Sequence, residues 1–203
     1  MTGLRERKKQ QTRDAIVRAA GTLFARNGFH TTTMEQIAAA ADVSAGTLYN
    51  YFGTKQAVLL THLDTEVQEM VGAGAVVITD PPADLTRAIQ SLVSAYADGF
   101  LELKRDFLRE LFAAGFSPAS EVLPELLRLD HLLAEQMAEL LRRFDGQLDP
   151  AIAAEEAVVA IYSAFAVQLM MYVSAEDMSA ATVRRAISRQ IEVVCSGLRA
   201  PER

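Results

Sequence analysis

Residues 33–55, TMEQIAAAADVSAGTLYNYFGTK, are the stretch of sequence that decides the fold. Thr33 and Gln36 have the spacing of a capping box, in which a hydroxyl and an amide satisfy reciprocal backbone donors at a helix start. An aspartate and a valine after the alanine run predict a tight turn. Ser44 offers a cap for a second helix of about two turns, and Gly53 can end it because glycine tolerates left-handed backbone. The stretch therefore predicts two short helices joined by a tight turn.

Helical spacing continues on both sides of this stretch. Apolar residues recur every three or four positions from about Arg5 to Arg26 and predict a first helix that ends at Gly28. Behind the short pair, Thr54 can cap a fourth helix. The same spacing continues to the end of the chain, with an expected interruption at Ser117-Pro118 and a helix start at Asp149-Pro150, a capping carboxylate followed by proline. We find no convincing strand pattern and predict an all-α protein.

Charge divides the chain into two parts. The first 60 residues carry eight Lys and Arg against four Asp and Glu, whereas the remainder carries 12 basic and 22 acidic residues. A basic head on an acidic body suggests that only the head approaches a polyanion, although a solvated charged helix end would have the same composition. The first proline is Pro81, and Pro81-Pro82 is the best candidate for a boundary between segments.

Several classes of protein are disfavoured by the sequence. A single cysteine, Cys195, cannot form an internal disulfide, which suits the cytoplasm. Residues 157–175 are uncharged and long enough to cross a bilayer, but Ser163, Gln168 and acidic flanks favour a helix buried in protein, so we expect no membrane partner.

An enzyme or small-molecule carrier is also disfavoured, because neither a nucleophile–base pair nor a metal-ligand set is evident. The glycines of Gly72-Ala-Gly74 lack the third glycine and the preceding strand of a dinucleotide site. We therefore expect no enzymatic activity, no cofactor and no metal.

The two short helices have the form of a helix-turn-helix, whose second helix enters the major groove of DNA. Ala45 and Gly46 are small and would let the backbone approach a duplex closely. Thr47 and the Tyr49–Tyr51 segment offer hydroxyls and an amide on the outer side, unless the tyrosines pack against neighbouring helices. Lys55, at the start of the fourth helix, has the position of a phosphate ligand, as does Thr33.

The region between Ala19 and Leu59 resembles the DNA-binding head of the TetR family of bacterial transcription regulators. Residues 29–59 read FHTTTMEQIAAAADVSAGTLYNYFGTKQAVL. The matching features are the T-x-x-x-I-A-x-x-A run from Thr33, the V-S-x-G-T-L-Y-x-Y-F run from Val43, Lys55, and the preceding A-A-x-x-L-F-A-x-x-G run that ends at Gly28.

The resemblance implies an all-helical homodimer with about nine helices per subunit. It implies a helix-turn-helix domain in residues 1–60 and a ligand-binding and dimerisation domain in residues 61–203. Most members are repressors that a small-molecule inducer releases from a palindromic double-stranded DNA operator. A ligand-independent regulator or an activator with the same head stays open.

Carried over position by position, the resemblance implies a set of DNA contacts in the head and a basic arm before it. The DNA-contact residues are Thr33, Ser44, Ala45, Gly46, Thr47, Tyr49, Tyr51 and Lys55. The arm residues, which would reach the DNA backbone or the minor groove, are Arg5, Lys8 and Lys9.

The body offers more apolar helix surface than one subunit needs to bury. We expect the last two helices to pair with their copies into a four-helix bundle, with small residues such as Ala157, Ala160 and Ala164 allowing close approach. The alternative is that these alanines line the subunit's own core.

A ligand pocket between helices of the body would be lined by aromatic residues and methionine, although such stripes are also ordinary core. The favoured lining residues are Phe100, Phe107, Phe112, Met137, Tyr162 and Phe165, with Phe116, Phe144 and Met170 as further candidates. The apolar stripes contain few basic residues, which favours an apolar or cationic ligand over a strongly anionic one.

Overall fold

The computed structural model of the protein describes residues 3–115 and 123–199. Within these ranges the chain forms nine α-helices and a short 3-10 turn at Asp145–Gln147, and no strand. The helices are α1 (Gly3–Asn27), α2 (Met34–Ala40), α3 (Ala45–Phe52), α4 (Lys55–Thr79), α5 (Leu85–Glu102), α6 (Arg105–Gly115), α7 (Leu123–Arg142), α8 (Ala154–Ser174) and α9 (Ala180–Leu198). The predicted all-α class is confirmed. The expected interruption at Ser117-Pro118 and the pocket candidate Phe116 lie outside the described residues.

The chain divides into two compact units. Unit 1 runs to Val67 and includes α6 from Asp106 onward, whereas unit 2 comprises Gln68–Arg105 and the chain from Leu126 onward. Unit 1 is therefore larger than a head that ends at residue 60, because side chains of α4 and α6 fill its core. The candidate boundary at Pro81-Pro82 lies between α4 and α5, inside unit 2, and does not separate the two units.

The core of unit 1 is built from the inward stripe of each of its helices. Ile16 and Phe24 of α1, Ile37 of α2 and Leu48 of α3 have no solvent exposure. Phe107 of α6 stacks nearly parallel to Phe24, with ring centroids 6.3 Å apart. These contacts explain why α6 belongs to this unit although it follows α5 in the chain.

The core of unit 2 centres on α5, α8 and α9, which pack against one another. Leu92 of α5, Ile161 of α8 and Ile191 of α9 are fully buried. A polar link accompanies this packing: the hydroxyl of Tyr96 donates to Gln136 Oε1 at 2.8 Å, and Gln136 donates to the carbonyl of residue 71 at 3.0 Å. Tyr96 is thus buried with its hydroxyl satisfied.

The start of α8 differs from the sequence prediction. The Asp149 carboxylate does cap backbone, accepting from the N–H of Ala151 at 2.9 Å, but it closes a turn and not a helix. The helix begins at Ala154, where Glu156 Oε2 accepts from the N–H of Ala153 at 3.2 Å. The N–H of Asp149 is bonded to the carbonyl of Leu198, at the end of α9, so the turn is tied to that chain segment.

Helix α8 is the one helix of the described ranges that is long and apolar enough to cross a membrane by length and composition. In the structure it buries eight residues, among them Phe165 and Leu169, and it packs against α9 and α5. That packing agrees with the sequence expectation of a helix buried in protein.

Candidate nucleic-acid interface

Helices α2 and α3 are set by hydroxyl caps at their first turns. The side chain of Thr33 accepts from the N–H of Gln36 at 3.2 Å, and the Gln36 side chain accepts from the N–H of Thr33 at 3.0 Å. The Ser44 hydroxyl accepts from the N–H of Thr47 at 3.0 Å. Both predicted caps are confirmed, and both helices begin where the sequence predicts.

The turn between the two helices is as tight as predicted. Asp42 adopts a positive φ of 56°, and the N–H of Val43 returns to the carbonyl of Ala38 at 3.0 Å. Leu48, halfway along α3, is fully buried and anchors that helix to unit 1. The opposite face of α3 is left to solvent.

The exposed face of α3 carries the residues predicted to read DNA. Tyr49 is 47% exposed, so its ring is not part of the core, and Asn50 beside it is exposed as well. Tyr51 is half-buried, with its ring 6.4 Å from that of Phe52. The alternative that both tyrosines pack inward therefore fails for Tyr49.

The other predicted contacts lie at the beginnings of the two helices. Thr33, Ser44 and Gly46 are exposed, whereas Ala45 and Thr47 are half-buried. The hydroxyls of Ser44 and Thr47 lie 2.8 Å apart and bond to each other. A hydroxyl has one donor and two acceptor sites, so the capping hydroxyls keep capacity for a further partner.

Gly46 is not required by the packing of the protein itself. A β-carbon built at this position would meet a single atom within 4 Å, the Ser44 hydroxyl at 3.9 Å, which is ordinary contact. Its backbone is helical, and its φ is not positive. The bare backbone at Gly46 thus leaves the start of α3 open to close approach from outside.

A basic cleft of about 730 Å³ adjoins the exposed face of α3. Its lining includes Asn50 and Tyr51 from α3 and, from the first turns of α1, residues Arg5, Glu6, Lys8, Lys9, Gln10, Thr12 and Arg13. Four of these α1 side chains are basic and one is acidic. The structure therefore places the three predicted arm residues on a helix beside α3.

Among the basic lining residues, Arg13 was not among the predicted arm residues. The guanidinium of Arg13 lies over the Phe52 ring at 5.4 Å and donates to the Thr61 hydroxyl at 3.3 Å. An amphipathic reading of α1 could have suggested Arg13, because it stands one helical turn from Lys9.

Lys55 faces the loop before α2, and its ammonium group is occupied there. Its Nζ donates to the carbonyls of Phe29 at 2.7 Å and Thr32 at 2.8 Å, with that of His30 at 3.3 Å. Burial lowers the pKa of the Lys55 ammonium, and the negative charge of Glu110 acts in the opposite direction. The predicted phosphate contact of Lys55 stays a prediction.

The predicted pocket residues fall into different units. Phe100, Met137, Tyr162 and Phe165 belong to unit 2, where the rings of Phe100 and Phe165 lie 6.2 Å apart. Phe107 and Phe112 belong to unit 1. Phe107 is buried against Phe24, so core packing accounts for its position; the ligand-binding role of the set is untested.

Tyr162 has a polar partner in unit 2. Its hydroxyl donates a hydrogen bond to Asp130, and this bond lowers the pKa of the carboxyl, although burial raises it by more. Burial, together with the neighbouring carboxylate, raises the pKa of the Tyr162 hydroxyl. Within the described residues, no group of three or more His, Cys, Asp and Glu side chains could hold a metal ion.

Comparison with known sequences connects this geometry with a family. Residues 16–61 match the profile of the bacterial regulatory proteins of the tetR family. The chain is 32% identical over 161 residues to the HTH-type transcriptional regulator TcmR of Streptomyces glaucescens, an alignment that covers 77% of this chain and 65% of TcmR. It is 31% identical over 100 residues to the HTH-type transcriptional repressor NicS of Pseudomonas putida, covering 49% of this chain and 47% of NicS.

The chain spans less than two thirds of the length of the first curated relatives that it matches. For the HTH-type regulator HbdR of an Aromatoleum strain, the identity is 43% over 65 residues, which cover 30% of this chain and 28% of HbdR.

Solved structures share the fold along nearly the whole chain. The TetR-family regulator PfmR of Thermus thermophilus superimposes with a TM-score of 0.61 at 24% identity, covering 93% of this chain and 99% of PfmR. FadR of Thermus thermophilus, solved in complex with lauroyl-CoA, gives 0.64 at 22% identity, with coverage of 94% and 97%. FadR of Bacillus halodurans gives 0.70 at 18% identity, with coverage of 92% and 99%.

Proposed function

The chain belongs to the TetR family of bacterial regulatory proteins, and we propose on that premise that it regulates transcription by binding double-stranded DNA through unit 1. The observation that carries the proposal is the exposed face of α3, an eight-residue helix anchored by the buried Leu48 with Tyr49 and Asn50 turned to solvent. A helix of this size fits the major groove of B-DNA, which is about 12 Å wide.

The proposed DNA-facing surface consists of seven of the predicted residues. They are Thr33, Ser44, Ala45, Gly46, Thr47, Tyr49 and Tyr51. The basic residues Arg5, Lys8 and Lys9 flank this surface along the cleft, where they would meet backbone phosphates. Phosphate contacts supply much of the affinity, and contacts from α3 to base edges supply the sequence preference.

Gly46→Ala tests this surface without disturbing the protein's own packing. Because alanine is the better helix former, we expect the free energy of unfolding to rise by about 0.5–1 kcal/mol, as for an exposed helical glycine. DNA affinity should nevertheless fall, since the new methyl group occupies the space that the duplex needs. The probe is a fluorescent duplex carrying the intergenic region beside the gene, titrated at fixed salt.

Gly72→Ala is the matched control, because a β-carbon at that helical position meets nothing within 4 Å. It should gain similar stability and leave DNA affinity unchanged. Equal affinity of both variants would remove the start of α3 from the DNA interface.

We further propose that the protein acts as a homodimer in the cytoplasm, joined through α8 and α9. The exposed side of α8 carries an apolar stripe, which consists of Val159, Val167, Met170 and Met171. On α9, Val193 is 72% exposed. A two-fold axis would pair these faces and present two copies of α3, and a separation of about 34–36 Å would fit successive major grooves of a palindromic operator.

Release by a small molecule is the proposed form of regulation. Support comes from the family, since the FadR of Thermus thermophilus is a repressor solved with lauroyl-CoA. In unit 2 the proposed lining is Phe100, Met137, Tyr162 and Phe165. A ligand that binds one conformation of the dimer better than the other would shift the population that fits the operator.

A regulator that ignores ligands, or an activator, would use the same unit 1. Adding candidate compounds to the preformed DNA complex separates these functions, because only a ligand-responsive repressor dissociates. Transcription from the bound promoter, measured with and without the protein, gives the sign of regulation.

A further inference from the structure

The loop between α1 and α2, residues 28–32, is held by charged side chains from two other helices. Glu110 of α6 accepts a hydrogen bond from the N–H of Phe29 through Oε2 at 2.7 Å, across 81 residues of sequence. Lys55, the first residue of α4, donates to the carbonyl of the same Phe29 at 2.7 Å. The backbone of Phe29 is therefore held by an anion at its N–H and by a cation at its C=O.

The ammonium group of Lys55 donates its hydrogen bonds to this loop. It has three N–H donors and no acceptor, and three carbonyls, those of Phe29, His30 and Thr32, lie within 3.3 Å of Nζ. The ring of Phe29 lies 4.5 Å from the same nitrogen. A DNA phosphate that bound Lys55 would have to replace one of these partners.

The loop is shaped to receive the carboxylate of Glu110. Gly28 has a φ of 88°, in the region that favours glycine, and a β-carbon there would stand 3.1 Å from Glu110 Oε1. Thr32 is fully buried, and its hydroxyl donates to the carbonyl of Gly28 at 2.8 Å. One loop conformation thus satisfies its own polar groups and presents the N–H of Phe29 to α6.

This loop leads directly into α2, so its conformation sets the position of the first turn of that helix within unit 1. Residue 33, the helix cap, follows the loop directly, and α2 packs on α3. We propose that Glu110 and Lys55 are positioning residues of the DNA-binding unit: they act through the loop on α2 and α3 and do not bind DNA themselves. This inference rests on the proposed DNA-binding function.

Glu110→Ala and Glu110→Gln test the hydrogen bond between the loop and α6. In Glu110→Ala the N–H of Phe29 loses its acceptor, so its amide hydrogen exchange should accelerate and DNA affinity should fall by about tenfold, the scale of a hydrogen bond to a charged group. Glu110→Gln keeps an amide oxygen that can accept the same bond. It should retain slow exchange and an affinity within about threefold of wild type, the loss expected for a neutral in place of a charged acceptor.

Lys55→Met tests the contact of α4 with the loop, and the readout is the salt dependence of DNA binding. A positioning role predicts weaker binding with an unchanged slope of log K against log salt. A phosphate contact predicts a slope that is flatter by about 0.9. Circular dichroism and sedimentation of each variant show whether the fold and the assembly are retained.

The inference is overturned by a flatter slope in Lys55→Met. It is also overturned if Glu110→Ala binds DNA like wild type, or if Glu110→Gln loses as much affinity as Glu110→Ala. If the wild type binds no duplex, the proposed function fails and the inference with it. If the wild type binds and Gly46→Ala weakens binding while the Glu110 variants do not, the inference alone fails.

Discussion

Gly21 of α1 lies against the ring of His62, at a point where unit 1 has no room for a side chain. A β-carbon on Gly21 would stand 2.5 Å from His62 Cε1 and 2.7 Å from Nε2. His62 is itself buried and lies beside Phe107, with ring centroids 6.5 Å apart. The glycine is therefore explained by close packing between α1 and α4.

Gly21→Ala should destabilise the protein by about 1–3 kcal/mol, the range for overpacking a close-packed core, because the histidine ring must shift. Chemical denaturation monitored by circular dichroism measures the change. Gly72→Ala, in an open helical position, is the control and should not destabilise. A Gly21→Ala protein as stable as the control would show that the ring moves at no cost.

His62 also predicts how stability depends on pH. Burial lowers its pKa below the ordinary 6.5, and the Glu66 carboxylate lies 3.6 Å from Nδ1. Between the folded and unfolded pKa values the unfolded chain binds more protons, so the free energy of unfolding rises with pH. The contribution of His62 is complete above pH 6.5 and is lost as the pH falls through 6.5 toward the folded pKa.

Replacing His62 by glutamine should remove this part of the pH dependence. The measurement is the free energy of unfolding at a series of pH values from 7.5 to 5. Wild type should lose stability over the acid half of the series more steeply than His62→Gln. Parallel curves for the two proteins would mean that His62 has the same pKa in the folded and the unfolded state.

Among the elements, α8 shows how a helix can begin later than its sequence signal suggests. The Asp149-Pro150 pair has the chemistry of a helix start, yet it forms a turn whose first N–H is bonded to the end of α9. The helix instead begins at Ala154, and the side chain of Glu156 accepts a hydrogen bond from the N–H of Ala153.

Glu156→Ala should therefore cost about 0.5–2 kcal/mol of stability, as for the loss of a capping hydrogen bond. Glu155→Ala is the matched control, because the neighbouring carboxylate feels the same helix dipole but does not bond to Ala153. Thermal unfolding of the two variants isolates the hydrogen bond from the charge. If the two variants lose the same stability, the whole effect comes from the helix dipole and not from the hydrogen bond.

At the scale of the whole molecule, the proposed homodimer rests on the exposed apolar side chains of α8. Val167 lies in the middle of this apolar stripe and is 54% exposed, whereas Val76 of α4 is 71% exposed outside it. A large exposed apolar patch commonly marks a protein interface. The two valines thus differ in surroundings but not in chemistry.

Val167→Lys should convert the proposed dimer to monomers and abolish operator binding. The reason is that an unpaired ammonium group buried in the interface has a large desolvation cost. Val76→Lys should change neither property. Sedimentation equilibrium and DNA titration measure the two effects separately. A dimeric Val167→Lys protein would place the subunit interface elsewhere.

The local structure of unit 1 was predictable from sequence because its determinants are local. The capping box of Thr33 and Gln36, the Ser44 cap and the limits of α3 each depend on residues within a few positions of one another. The exposed side of α3 followed from helical periodicity around Leu48. Helical spacing predicted the all-α class of the rest, and the resemblance of the same residues to a known family added the expected number of helices.

The pairing of distant residues was decided by the tertiary structure. Two hydrogen bonds could not be predicted from the sequence, because each joins positions far apart in the chain. One joins Glu110 to the loop before α2, and the other joins Asp149 to the end of α9. Lys55 is the clearest case: its helix-start position suggests a phosphate ligand, but three backbone carbonyls surround its ammonium group. Sequence determined which residues lie on which helix, and the packing of helices determined which partner each charged side chain meets.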